Sequence, residues 1–299
     1  MSLISYQYCP LCGSDHIAHA LNAVDYTVSK SSFEIWHCAH CTGRFTQHIP
    51  EESQIGAYYK SEEYISHTET KEGLVNRLYH SARKITLRSK QNWVKSAAKQ
   101  KEGSLLDIGA GTGAFAHFMQ QTGWKVTCLE PDEGARANAQ TLYKLAALPS
   151  EALFTIEAAQ FDVVTMWHVM EHVHNLHGYV EQIKRVLKPG GALLIAVPNY
   201  TSKDAVIYGE HWAAYDVPRH LYHFSPAAMQ QMLLAHGITV VKKHPMVFDS
   251  FYVSLLSEKY KSGGSGLVKG FWNGFRSYRK ALRNVDVCSS IVYECKIQA

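Results

Sequence analysis

The 299-residue chain lacks any apolar run that approaches the ~18 residues of a membrane span. Its first residues, Met1 to Cys9, also lack the basic-then-apolar layout of a secretory leader. Both absences lead us to expect a cytoplasmic protein. Charge of one sign is scarce too: 30 Lys and Arg face 26 Asp and Glu, a formal net charge of +4. So mild an excess predicts neither a nucleic-acid binder nor an acidic tail. No internal repeat or low-complexity tract is present. What is there, 46% hydrophobic residues over this length, suffices for one full α/β core plus a smaller module at ~150 residues per domain.

Cysteines are few, and four of the seven form two pairs: Cys9-Pro-Leu-Cys12-Gly13 and, after 25 intervening residues, Cys38-Ala-His-Cys41-Thr-Gly43. Each pair is a short turn that points two thiolates at one centre, which is zinc-ribbon spacing. Phe33 to His37 and Arg44 to Thr46 read as a hairpin around the second knuckle. A redox dithiol would instead be a single pair near a βαβ unit. His37 and His40 are read as bystanders, and Cys128, Cys288 and Cys295 as buried thiols. A ribbon this small has no core of its own, so metal binding would supply much of its folding free energy. A closed four-thiolate site also leaves no position for a substrate. We therefore expect a structural zinc on Cys9, Cys12, Cys38 and Cys41. The ribbon should line the substrate side or orient the helices that follow, linked to them through the aromatic stretch Tyr58 to Tyr64.

The run Ser104-Leu105-Leu106-Asp107-Ile108-Gly109-Ala110-Gly111-Thr112-Gly113 is an apolar strand that ends in an acid, with three alternating glycines before a helical stretch. Open α/β sheets place their ligands at the carboxyl ends of strands, and glycines remove side chains that would collide with one. By itself the loop stays ambiguous, because Gly109-x-Gly111-x-x-Ala114 also fits the looser dinucleotide fingerprint.

Three further segments follow in order. Lys125 to Glu130-Pro131 is a second strand closed by an acid. Phe161-Asp-Val-Val-Thr-Met166 runs into Trp167-His168-Val-Met-Glu171-His172. Leu187-Lys-Pro-Gly-Gly191 precedes Ala192 to Val197. Together with the glycine loop they resemble the class I S-adenosylmethionine-dependent methyltransferases of the type 11/12/23-like groups, over roughly residues 103 to 248. The resemblance implies an α/β fold: a Rossmann-like, doubly wound, mostly parallel seven-stranded sheet, here with a small N-terminal zinc ribbon. It implies that Asp107, Gly109, Ala110, Gly111 and Gly113 meet the methionine part of S-adenosylmethionine. It also implies that Glu130 accepts the ribose hydroxyls, and that Pro131, Met166 and Trp167 line the remainder. The acid that often meets adenine after the third strand has only Glu151 as a counterpart, so that contact stays unassigned.

Methyl transfer asks the protein to align a nucleophile and remove its proton, and histidine suits that task at neutral pH. His168 directly follows the fourth strand and is read as general base or substrate ligand, with a cofactor-lining role as the alternative. Glu171 and His172 are read as orienting its turn. After the fifth strand comes a long loop rich in aromatic and ionisable groups, ending at a helix start, Ser225-Pro226. Its Pro218-Arg-His-Leu-Tyr-His-Phe-Ser225 resembles a stretch of a bacterial methyltransferase subgroup. Here His220 is expected to be catalytic, and Tyr215, Arg219 and His223 to bind substrate, with loop-fixing hydrogen bonds as the alternative. Leu74, Leu78, Ala82 and Ile85 mark a helix before the first strand. Its Arg83, Lys84, Arg88 and Lys90 either face solvent or meet an anionic group. Val268, Phe271, Trp272, Phe275, Tyr278 and Leu282 interleave with Lys269, Arg276, Arg279, Lys280 and Arg283 after Ser262-Gly-Gly-Ser-Gly266. This basic amphipathic helix is a lid, a dimer helix or a weak membrane-surface contact through residues 268–283.

The expected organisation is a zinc-ribbon-like module over 1–48 and a helical linker with a cofactor-covering helix over 49–102. A class I methyltransferase domain follows over 103–299, with a lid loop (199–225) and a basic amphipathic insertion (249–289). The expected function is methylation of a small molecule, most plausibly a sugar or cell-surface glycan precursor, by in-line transfer aided by a histidine base. The ribbon-plus-methyltransferase layout resembles the deoxysugar C-methyltransferases, although this chain has no room for their additional carboxyl-terminal domain. RNA base methylation, with the ribbon holding RNA, is the alternative. Against it stand the modest charge and the lack of an Asn/Asp-Pro-Pro-Tyr/Phe tetrapeptide. A catalytically silent S-adenosylmethionine-binding scaffold is the third reading.

Overall fold

The computed structural model describes residues 3–59, 74–264 and 266–298. Tyr64 and the side chains of Leu74, Leu78, Ala82 and Arg83 lie outside the described residues.

Five short strands open the chain: β1 (Leu3–Ile4), β2 (Ile17–Val24), β3 (Ser32–Cys38), β4 (Arg44–Thr46) and β5 (Ile49–Pro50). Helices α1 (Glu52–Ile55) and α2 (Leu74–Ala98) lead to an alternating series: β6 (Ser104–Ile108), α3 (Ala114–Gln120), β7 (Lys125–Leu129), α4 (Glu133–Tyr143), β8 (Ala147–Leu148), β9 (Phe161–Trp167), α5 (Leu176–Val186) and β10 (Leu187–Pro198). Next come α6 (Lys203–Tyr208), β11 (Tyr222–His223), α7 (Pro226–Ala235), β12 (Ile238–Pro245), α8 (Asp249–Ser262), α9 (Leu267–Ala281) and β13 (Ser290–Ile297).

The main sheet has seven strands in the order β12-β13-β10-β9-β6-β7-β8. Only β13 runs antiparallel to its neighbours; the other pairings are parallel. Strands β6, β9 and β10 are buried on both faces, which is why they read as continuous apolar runs rather than alternating ones. The chain leaves β6 toward β7 and β8, then returns to β9 on the other side of β6. That reversal opens a crevice at the carboxyl ends of β6 and β9, the place where open α/β sheets hold ligands.

A second, antiparallel sheet has the order β11-β4-β3-β2. Its fourth strand comes from the long loop after β10, with Tyr222 opposite Phe45 and His223 opposite Arg44. The amino-terminal residues and the 199–225 loop thus share one sheet. Their core is shared as well: Leu11, Phe45 and Ile49 belong to the same buried cluster as Leu106, Ile108, Phe224 and Met229. A ribbon too small to bury a core has completed itself on the larger domain.

Helices α8 and α9 pack against each other through small residues. Gly270, Asn273, Gly274, Ser277 and Ala281 are the buried positions of α9. A Cβ added at Gly274 would lie 2.9 Å from Phe251 Cα, and one at Gly270 would lie 3.0 Å from Leu255 Cα. Glycine here lets the two backbones approach closely. As a result the apolar stripe faces outward: Val268 is 75% exposed, Trp272 56% and Phe271 52%. Among the described residues no helix is long and apolar enough to cross a membrane.

Candidate active site

At the crevice, Gly109 N–H and Ala110 N–H both donate to Leu129 O at the end of β7, at 2.7 and 3.0 Å. These bonds fasten the glycine loop across the tips of β6 and β7. Gly109 has φ +72° and Gly111 has φ +54°, a region that favours glycine. They differ in what a side chain would meet. A Cβ on Gly109 would lie 2.2 Å from Val169 Cγ2, whereas one on Gly111 would meet nothing within 4 Å. Gly109 thus admits the turn after β9, and Gly111 borders open space.

Glu130, almost fully buried, lies across the loop and accepts from Gly111 N–H at 2.7 Å and Asp132 N–H at 3.0 Å. Burial raises its pKa. Pro131 follows on the exposed rim, its carbonyl accepting from Arg136 at 2.7 Å. Asp107 is buried beneath the loop, where Thr165 Oγ1 donates to it at 2.7 Å; burial pushes its carboxyl up to about 6. The basic helix α2 supplies Lys90, whose Nζ stands 4.4 Å from the centre of the Trp167 ring; burial lowers it to about 8. Trp167 also packs edge-on against Phe115. Met166, on the opposite face of β9, is buried in the main core, so its side chain does not border the crevice. Gly113 is buried as the residue before α3.

The acceptor edge starts where β9 ends. His168 has φ +58°, a conformation that is uncommon for a side-chain-bearing residue and costs about 1–3 kcal/mol where it occurs at functional sites. Its ring lies between two carboxylates: Nε2 is 3.2 Å from Asp249 Oδ2 and Nδ1 is 3.5 Å from Glu171 Oε1. Despite partial burial, those anions hold its pKa up, at about 9. Two flanking carboxylates favour the charged imidazole, which counts against the expected role of His168 as general base. Asp249, at the start of α8, gives no signal in the sequence, because only the fold brings it to the end of β9.

Glu171, 0% exposed, has neither carboxylate oxygen hydrogen-bonded among the described residues. Beside it stand His172 and His220, with ring centres 4.6 Å apart. His172 Nδ1 lies 2.9 Å from Arg219 O, and His220 Nδ1 lies 2.9 Å from Ala214 O. A carbonyl only accepts, so each ring turns an Nδ1 proton to its carbonyl, and Tyr59 Oη also lies 2.9 Å from His172 Nδ1. Burial and the neighbouring His220 push His172 down to about 4.

The other residues of the loop hold it in place. Arg219, 1% exposed, donates to Asp216 through Nε and Nη2, to Asp25 Oδ1 at 3.3 Å and to Tyr58 O at 2.7 Å. Tyr215 OH accepts from Arg44 Nη1 at 2.7 Å, and its ring packs edge-on against that of His223. His223 Nε2 lies 3.1 Å from Thr46 Oγ1, which donates to His220 O at 2.7 Å. Arg219, Tyr215 and His223, expected to bind substrate, instead spend their polar atoms tying the loop to the ribbon. The physical reason is burial: in low dielectric each group has found a partner within the protein.

The four ribbon cysteines converge. Their Sγ atoms all lie within 4.8 Å of one another, with Cys9 and Cys41 3.6 Å apart and Cys12 and Cys38 3.7 Å apart. A tetrahedron of thiolates at the usual ~2.3 Å from zinc has edges of about 3.8 Å, so this donor set fits that ion.

A sequence profile for the family described as "Methyltransferase domain" matches residues 78–243, more than half of the chain. Curated relatives include ubiquinone biosynthesis O-methyltransferases. That of Maricaulis maris is 34% identical over 46% of this chain and 59% of its own length; that of Bordetella avium is 30% identical over 44% and 60%. The chain thus spans about three fifths of the length of these relatives. Among solved structures, a putative sarcosine dimethylglycine methyltransferase from Galdieria sulphuraria aligns with TM-score 0.50 at 13% identity, covering 74% of this chain and 86% of that one. Phosphoethanolamine N-methyltransferase 2 of Haemonchus contortus aligns with TM-score 0.50 at 17% identity, over 71% and 53%. Both likenesses concern the fold.

Proposed function

Because the chain belongs to the methyltransferase-domain family, we propose that it transfers the methyl group of S-adenosylmethionine to an oxygen of a small-molecule acceptor. The observation that carries this reading is the convergence of Glu130 and Gly111 beside open space at the switch point of the sheet. The cofactor supplies an electrophilic methyl group on a sulfonium. Residues Gly109 to Gly113, with Ala110, pass along its methionine part over Asp107, and Lys90 faces its carboxylate. Glu130 accepts the ribose hydroxyls, while Pro131 and Trp167 flank them. His168, held as a cation, attracts the acceptor oxygen, and His220 Nε2 takes its proton. An oxygen acceptor is favoured by the names of the curated relatives. Those names lend no support to the sugar or glycan precursor expected from the sequence.

Two partners complete the proposal. Cys9, Cys12, Cys38 and Cys41 hold a structural zinc, supported by the fit of their spacing to a thiolate tetrahedron. The outward face of α9 rests on an anionic lipid surface. In support, Phe271 and Trp272 are exposed among Arg276, Arg279, Lys280 and Arg283, and α9 carries no acid. Co-sedimentation with phosphatidylserine vesicles should fall at least tenfold in a Phe271→Ser/Trp272→Ser double variant; no sedimentation of the native protein removes the lipid partner.

Calorimetry with S-adenosylhomocysteine tests the core of the reading. Binding should weaken at least tenfold, about 1.4 kcal/mol, in Gly111→Val, whose side chain would enter the open space. If the native protein does not bind the product, or Gly111→Val binds it equally well, the reading is wrong.

A further inference from the structure

The seven cysteines are of two chemical kinds. Cys128, Cys288 and Cys295 are buried singly, and burial raises all three thiols, Cys128 and Cys288 to about 12, so they stay protonated and unreactive near neutral pH. Cys9, Cys12, Cys38 and Cys41 instead share one centre, where a bound zinc keeps every sulfur as a thiolate, the nucleophilic form. Of these four, Cys12 alone is half-buried rather than buried, and its Sγ lies 3.7 Å from that of Cys38. A reagent from solvent therefore meets Cys12 first, with a second thiolate beside it to resolve what forms.

The same pair anchors the acceptor side. Cys38 closes β3, and the turn after it is pinned back by Thr42 N–H to Cys38 O and Cys38 N–H to Gly43 O, both 2.9 Å. From that turn onward, alternate residues of β4 hold the 199–225 loop. Thr42 Oγ1 lies 2.7 Å from Ser225 Oγ, and Arg44 Nη1 donates to Tyr215 OH at 2.7 Å. Thr46 donates through Oγ1 to His220 O at 2.7 Å and through its N–H to Leu221 O at 2.9 Å. The glycine loop is fastened elsewhere, by the bonds of Gly109 and Ala110 to Leu129 O.

We propose that Cys12 and Cys38 form a peroxide-sensitive modification site, whose oxidation releases the zinc and frees the 199–225 loop while the cofactor edge stays intact. The inference rests on the zinc reading and on the reading of this loop as the acceptor side. The Cys12 thiolate attacks one oxygen of hydrogen peroxide, the O–O bond breaks, and Cys12 becomes a sulfenic acid as hydroxide leaves. The Cys38 thiolate then attacks that sulfur and expels a second hydroxide. Two thiolates and one peroxide thus give a disulfide and two hydroxides, each sulfur losing one electron to the peroxide oxygens. Cys9 and Cys41 alone are too few to close a tetrahedral site, so the metal is lost.

Hydrogen peroxide titration of the zinc-loaded full chain, with a chromogenic chelator present, tests the site. One zinc should be released per chain, and peptide mass mapping should find a Cys12–Cys38 disulfide with Cys128, Cys288 and Cys295 still reduced. Amide hydrogen exchange should quicken at least fivefold over residues 220–224 and stay within about twofold over residues 109–113. S-adenosylhomocysteine affinity should stay within about threefold, and dithiothreitol with fresh zinc should restore the native exchange. The inference is overturned if excess peroxide leaves the zinc in place, oxidises other cysteines first, or releases zinc without quickening exchange in the loop. A reduced chain that takes up no zinc fails the zinc reading and this inference with it. A reduced chain that binds zinc but no S-adenosylhomocysteine fails the methyltransferase reading instead.

Discussion

At the cofactor edge, the glycine loop and its two acids lie between Asp107 and Glu130, and neighbouring strands bring them together through backbone bonds such as Gly109 N–H to Leu129 O. At the acceptor edge, the corresponding groups come from Asp25, Arg44, Thr46, Glu171, Arg219, His220 and Asp249, and side-chain bonds between distant segments assemble them. The frame of the first edge is a property of one supersecondary unit. The second exists only when ribbon, loop and α8 are all in place. The two edges should therefore respond differently to damage far from the crevice.

The strongest break is at the thiolates. Cys38→Ser should abolish the proposed zinc binding and loosen β3 and β4, on which β11 pairs. A shift of about 1 Å in catalytic geometry commonly costs about 100-fold in rate, so acceptor turnover should fall that far while S-adenosylhomocysteine affinity changes less than threefold. Equal losses in both would join the two edges into one cooperative unit. Zinc quantification and calorimetry on the same preparation distinguish the outcomes.

Arg219→Ala comes next. It strands Asp25 and Asp216 without their guanidinium, and breaking a buried pair in this way costs about 3–5 kcal/mol. Arg219→Lys should recover only part, since it keeps the charge and loses the fork. An unfolding free energy from urea titration lowered by less than about 1 kcal/mol, the worth of an exposed pair, would mean that Arg219 is free to meet an acceptor after all.

The smallest effect is a pH dependence. His168 has its folded pKa raised to about 9, so its pairing with Asp249 and Glu171 contributes fully below about pH 6.5 and is lost as pH climbs through about 9. Stability should decline along that window and flatten in His168→Gln. Acceptor kcat/KM should fall over the same range. A His168-dependent rise through pH 6 to 7 would restore it as a general base.

How far each edge could be read in advance follows from the same contrast. Asp107, Gly111 and Glu130 were legible because strand, glycine loop and closing acid are contiguous, and each residue type has a local reason. Loop residues Tyr215, Arg219 and His223 stood out for their chemistry, but their partners, Arg44, Asp25 and Thr46, lie in the ribbon at the other end of the chain. Glu171 is legible as a group that orients the turn, because its charge partner His168 is three residues away, whereas its burial is not. Helix α9 shows the limit of periodicity. The spacing of Phe271, Trp272 and Phe275 identifies an apolar stripe, yet Gly270 and Gly274 let α8 approach the other side.

By itself, the sequence determined the switch-point sheet, the glycine loop and the convergence of four thiolates, since each rests on a short segment whose backbone conformation or donor spacing its own residues dictate. Only the tertiary structure decided that the amino-terminal strands borrow β11 to complete their sheet, that His168 sits between two carboxylates, and that Arg219 and His223 are buried. Burial sets those outcomes. The charge state and partners of a polar group in low dielectric depend on whatever the fold packs around it, and those neighbours come from the whole length of the chain.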